Sequence, residues 1–276
     1  MLIRLTMVLC TLLALRPLAA QVPAAGDTAA APAVVDFFLD PVGKPYYLLA
    51  DDRLVTANRL GDTDYSWYDS SLGSPDYVDV TNPFQILVYY REYGTVVVLD
   101  RTLSELDRLD LFANPDLRQP GPIARSYDDG IWVFDSWEYR LIRLNGEGRA
   151  EQRSNNLRLE LGISAPADAI FVDRNAVMLY FAGAGRLAVF TNFGKFKHWV
   201  AVPADLRLSW YAPRLLGVGP EAGTYLWTPQ LREMTDLGPL PEALAAARRI
   251  LAGPQGFTTV RADTLGLRYD MFERKN

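Results

Sequence analysis

The sequence is poor in the residues that carry most metal, redox and acid–base chemistry. Its 276 residues include one histidine, His198, and one cysteine, Cys10. A tetrahedral zinc site draws most of its ligands from those two residue types, so most zinc arrangements are excluded. No GxSxG elbow, P-loop or Rossmann glycine pattern is present, and Gly217-Val218-Gly219 lacks the third glycine at its required spacing. No long helical periodicity appears either. Positive charge is in deficit, with 28 Lys+Arg against 33 Asp+Glu. Phosphate backbones repel such a chain, so nucleic acid is not an expected partner. A 49% hydrophobic content is that of a folded protein.

Residues 1–20 read as a secretory signal peptide. Arg4 gives the positive start, Val8 to Leu15 the short apolar run, and Leu18-Ala19-Ala20 a small-residue cleavage site before Gln21. The run is too short to span a bilayer comfortably, so no membrane span is expected after cleavage. Leu9 stands before Cys10 where a lipobox needs a small residue, which argues against a lipid anchor. Loss of the peptide would remove the cysteine and, with Arg4 and Arg16, take the 28 basic residues to 26 against 33 acidic ones, a net charge of −7. Residues 21–33, rich in Ala and Pro, read as a flexible spacer. The expected location is the periplasm.

From residue 34 to 276 the chain reads as one all-β domain. Short β-branched and aromatic runs alternate with polar turns. Six hairpin-like segments align, starting at Leu54, Val96, Leu141, Leu187, Tyr225 and Thr258, separated by 42, 45, 46, 38 and 33 residues. Prolines 32, 75, 122, 166, 203 and 241 keep nearly the same beat, and a proline at the first position of a strand costs no ladder hydrogen bond. A further run precedes several hairpins: YYLLA, ILVYY, IWVFD and VMLYF. Four strands in about forty residues, recurring, predict a β-propeller. Residues 34–273 make 240 positions, so six four-stranded blades are expected, with five or seven as alternatives. The weakest stretch is PEALAAARRIL from Pro241: its composition reads as a short helix, its place in the repeat as an inner strand.

No catalytic, cofactor-binding or metal-ligating set emerges. His198 falls on an outer strand without an orienting carboxylate and reads as a surface histidine. The pairs Asp51-Asp52, Asp62 with Asp64, and Asp128-Asp129 lie in turns, where Asp caps the backbone. Asp128 and Asp129 precede the strand IWVFD and are candidates for the channel face. Trp132, Trp137 and Tyr139 join them as candidate partner-face or channel-face residues, although large aromatics in a propeller chiefly fill the gaps between blades.

The block Val80-Thr81-Asn82-Pro83-Phe84, with Ile86 to Tyr90, Leu99-Asp100 and Leu103-Ser104-Glu105, resembles a family of exported single-propeller proteins of the Bacteroidota. That family in turn is similar to the periplasmic plug subunit of the type IX secretion translocon, which blocks the periplasmic mouth of a large outer-membrane barrel. The resemblance implies a non-enzymatic interaction or plug subunit of an outer-membrane protein or secretion complex, with no catalytic residues to carry over. The alternative is a propeller glycan hydrolase or lyase with scattered carboxylates at the central channel.

Overall fold

The structure, a computed structural model, describes residues 33–58, 60–260 and 265–271. The expected signal peptide and Pro32 lie outside these residues. Blade one is β1 (Val34–Leu39), β2 (Pro45–Leu49), β3 (Leu54–Ala57) and β4 (Thr63–Trp67). Blade two is β5 (Tyr77–Asp79), β6 (Ile86–Tyr90), β7 (Thr95–Leu99) and β8 (Glu105–Asp110). Blade three is β9 (Pro120–Arg125), β10 (Ile131–Asp135), β11 (Arg140–Leu144) and β12 (Ala150–Arg153), followed by the five-residue helix α1 (Leu157–Leu161). Blade four is β13 (Ala169–Asp173), β14 (Ala176–Phe181), β15 (Arg186–Thr191) and β16 (Phe196–Ala201). Blade five is β17 (Arg207–Tyr211), β18 (Arg214–Val218), β19 (Gly223–Trp227) and β20 (Thr235–Pro239). Each is an antiparallel meander of neighbours in chain order.

The last sheet departs from this plan and corrects the expected architecture. It has three strands among the described residues, β21 (Leu251–Ala252), β22 (Gly256–Val260) and β23 (Leu267–Met271). Among the described residues the protein is therefore a β-propeller of five four-stranded blades and a three-stranded closing sheet, not six four-stranded blades. The Ala-rich segment from Pro241 is the cause. It forms neither the expected helix nor an inner strand there, but a 3₁₀ turn at Glu242–Leu244 and a loop, and the inner strand begins only at Leu251. Alanine is a poor strand former, and the inner strand is displaced to Leu251–Ala252. The hairpin from Thr258 consequently supplies the second and third strands of its sheet, one place further in than its counterparts.

The ring closes through packing. Both faces of each middle strand are buried, so consecutive residues serve different blade junctions. Ile86, Val88 and Tyr90 of β6 pack toward blade one, while Leu87 and Tyr89 pack toward blade three. In β10, Ile131 and Val133 face blade two, and Trp132 and Phe134 face blade four. The closing sheet packs on blade five through Ala252 and Phe257 and on blade one through Leu251, which meets Phe37 and Leu39. Burying each such side chain is worth about 1.5–3 kcal/mol, and closure leaves no apolar blade face open to water.

The third-to-fourth-strand turns of blades one to four share one device. Asn58, Asp100, Asn145 and Thr191 each accept, on one side-chain oxygen, the N–H groups two and four residues on, at 2.8–3.3 Å. The residue three positions on has positive φ: Gly61, Leu103, Gly148 and Gly194. Leu103 alone has a side chain to strain there, a cost of about 1 kcal/mol or more. Its burial in the junction between blades one and two offsets that cost.

Candidate functional site

Alternate connections of a meander fall on opposite faces. The near face, where the inner strands begin, carries the second-to-third-strand turns and the crossings between blades. The far face, where the inner strands end, carries the remaining turns.

The inner strands surround an axial cavity of about 230 Å³. Its wall is largely apolar, with Phe38, Val78, Ile123, Ile170, Leu208 and Trp210 among the lining residues. Charged residues enter only from a few positions: Asp76, Asp79, Arg91, Arg125, Asp168 and Arg249. At the near end, the Asp76 carboxylate accepts the Arg91 N–H at 2.8 Å, and Asp168 accepts the Ala182 N–H at 2.7 Å. These are equivalent contacts. Each caps the first N–H of a 3₁₀ turn, Arg91–Tyr93 or Ala182–Ala184, that ends on a left-handed glycine. Nearby, Arg249 donates to Asp36 at 2.5 Å and lies 4.9 Å from the Phe38 ring centre.

At the far end, between blades two and three, the polar groups are buried. Asp79 accepts from the Tyr77 hydroxyl at 2.8 Å and from the Thr81 N–H and hydroxyl at 2.8 and 2.5 Å. Arg125, 5% exposed, lies 3.6 Å from Asp79, reaches Asp129 at 3.3 Å and donates to the Gln85 carbonyl. Burial and the Asp79 carboxylate push the Tyr77 phenol well above its ordinary pKa, so it stays protonated and keeps donating.

The five candidates from sequence are not brought together, and none of them lines the cavity. Asp128 and Asp129 sit in the far-face turn between β9 and β10, Asp129 with φ 63°. Asp129 accepts from the Asn82 amide at 2.8 Å and pairs with Arg125. Asp128 accepts from the Ser126 hydroxyl at 2.6 Å and pairs with Arg143, which also binds Glu151. Burial works against the Asp128 carboxylate, but the Ser126 and Arg143 bonds outweigh it and hold its pKa below the ordinary value. Trp132 is fully buried between blades three and four. Tyr139 is buried in the same junction, edge-on to Phe134 and covered by Arg158 at 3.9 Å. Trp137 stands apart: it lies on the near-face turn between β10 and β11 and is 72% exposed. His198 is on β16, the outermost strand of blade four, where burial, then Arg232 and Lys197, lower its pKa.

Sequence reasoning passed over Asp76 and Asp168, although both follow a landmark proline and their shared place in the repeat was the available signal. Nothing in the sequence signalled the Asp79–Arg125 pair, whose members come from different blades. Among the described residues, no group of three or more His, Cys, Asp and Glu is placed to hold a metal, and no helix is long and apolar enough to cross a membrane.

No protein-family model matches the sequence, and no curated protein matches it. Solved structures do. A catalytically inactive histidine-to-alanine variant of virginiamycin B lyase from Staphylococcus aureus, with quinupristin, is 13% identical at a TM-score of 0.59, over 90% of this chain and 87% of that one. A streptogramin B lyase is 13% identical at 0.58, over 90% and 86%. A protein of unknown function from Bacteroides caccae is 10% identical at 0.52, over 75% and 78%. At these identities the likeness shows the β-propeller fold and nothing finer.

Proposed function

We propose that this propeller is a non-enzymatic periplasmic subunit that docks on an outer-membrane protein complex and acts there as a stopper, in the manner of the type IX translocon plug. The observation that carries the reading is the largely apolar axis. A ring of sheets packed junction by junction surrounds a cavity of about 230 Å³, walled mainly by apolar side chains. A stopper needs a stiff body. The carboxylates Asp36, Asp76, Asp79 and Asp168 around the axis are committed to backbone caps and arginine pairs, which favours a rigid body over a reaction centre.

The resemblance-bearing block supports the same reading by its place in the fold. Val80 to Gln85 form the far-face connection between β5 and β6, and Asn82 and Gln85 tie blade two to the Asp129 and Arg125 of blade three. The hydrolase or lyase alternative rests on scattered carboxylates at the central channel, its structural neighbours share the fold alone, and the single histidine lies on an outer strand, outside the cavity lining.

The test is affinity purification of the tagged chain from detergent-solubilised envelopes at native expression. The reading expects a large outer-membrane barrel protein in near-equal amount. Recovery of the chain by itself overturns it.

A further inference from the structure

Docking through an outer face leaves the axial cavity unused, and its size, wall and charge define an occupant. Every blade contributes to the wall, from Phe38 of blade one to Trp210 of blade five, and the closing sheet adds Leu251. Aromatic rings are prominent. Phe38, Phe171 and Trp210 all line the cavity, and the last two have ring centres 5.8 Å apart with planes tilted by 35°. Such a wall favours a ring-bearing occupant, because offset and edge contacts between rings add to plain area burial. A dry apolar cavity of about 150 Å³ is filled by benzene, so about 230 Å³ takes a molecule of roughly ten non-hydrogen atoms.

Charge decides the rest. The charged lining residues stand at the two ends of the cavity, and each end carries both signs. At the near end Asp76 and Asp168 share the mouth with Arg91 and with Arg249, behind which stands Asp36. Arg91 is exposed and has no ion pair among the described residues, so this end is not uniformly acidic. At the far end Arg125 is held by Asp79 and Asp129. A charged ligand of either sign would therefore meet a like charge beside each opposite one. Its charge would also lose hydration against the apolar wall. A neutral ligand incurs neither cost.

We propose that the axial cavity is a binding site for a neutral, mainly apolar, ring-bearing small molecule of that size. Its ring lies against Phe171 and Trp210, and a hydroxyl or carbonyl substituent is satisfied by the polar groups at one end. Occupancy of the axis is independent of docking through the outer surface, so either can fail while the other stands.

The experiment titrates the purified full chain with indole, a neutral ring compound that fits the cavity, and with benzyl alcohol, benzoate and benzylammonium, which share one shape and differ in charge. Calorimetry gives the affinities, and intermolecular nuclear Overhauser effects locate the bound indole. The expected result is binding of indole and benzyl alcohol, the alcohol at least tenfold tighter than either ion, with indole in contact with the Ile170 and Leu208 methyl groups. Ala169 lines the cavity and is only half-buried, so Ala169→Phe should add a ring to the lining and weaken indole at least tenfold. The proposal is overturned by no indole binding at millimolar concentration, by benzoate or benzylammonium binding as tightly as benzyl alcohol, or by indole contacts confined to the outer surface. Unchanged indole affinity in a folded Ala169→Phe overturns it too. Should that variant fail to fold, the Overhauser contacts in the parent chain decide the matter.

Discussion

Two regions of this propeller use charge differently. On the far face, at the junction of blades two and three, Arg125 serves Asp79, Asp129 and the Gln85 carbonyl, and Arg143 serves Asp128 and Glu151. On the near face of blades one to three, Glu92, Glu138 and Glu160 stand beside exposed aromatic and aliphatic side chains. The first arrangement fixes one blade against the next. The second leaves those carboxylates, like the exposed Arg91 next to Glu92, without an ion pair among the described residues. A cluster of conspicuous acidic residues can thus be structural.

The largest effect that sharpens this contrast is expected at Arg125. Arg125→Ala leaves the buried Asp79 without its cation, and breaking such a pair costs about 3 kcal/mol or more. Chemical denaturation should show the loss directly. A change below about 0.5 kcal/mol would break the comparison, because the far-face network would then hold nothing together.

Acid should act next, through Asp100 and Asp128 on the far face and Asp69 on the near face. Bonds from the Thr102 hydroxyl and the Ser104 N–H lower the Asp100 pKa, and the Ser126 and Arg143 bonds lower that of Asp128. A carboxylate whose pKa is lower in the folded state adds stability above its unfolded value of about 3.9 and loses it as pH falls through the folded value. Melting temperature should therefore hold as pH falls toward 5, as far as these groups decide it, and drop below about pH 4. Asp128→Asn should make that drop shallower; an unaltered slope would show that the Asp128 bonds do not contribute.

The smallest effect is expected at Trp137. Its exposure predicts that Trp137→Ala changes stability by less than about 0.5 kcal/mol. Trp132, five residues earlier and fully buried, should cost about 3–5 kcal/mol as Trp132→Ala. Equal losses at the two tryptophans would contradict the placement of one in the core and the other on the surface.

Sequence reasoning grouped both tryptophans as candidate face residues, although the signal that separates them was there. Trp132 sits inside the uninterrupted run IWVFD, the mark of a strand covered on both sides, and Trp137 sits in a polar turn. The third-to-fourth-strand hairpins of blades one to four were legible for a similar reason, since Asn58, Asp100, Asn145 and Thr191 carry a local device that needs no distant partner. The closing sheet was misread because the repeat was projected over Pro241 to Leu251, where a 3₁₀ turn and a loop displaced the inner strand. The axial groups escaped for the opposite reason. Asp79 meets Arg125, and Asp36 meets Arg249, only after distant segments come together around the ring, and no local pattern announces such a meeting.

The most direct test is to measure what co-purifies with the tagged chain from detergent-solubilised envelopes at native expression. A docking propeller should bring down a large outer-membrane barrel protein in near-equal amount. Recovery of the chain by itself would contradict the docking role.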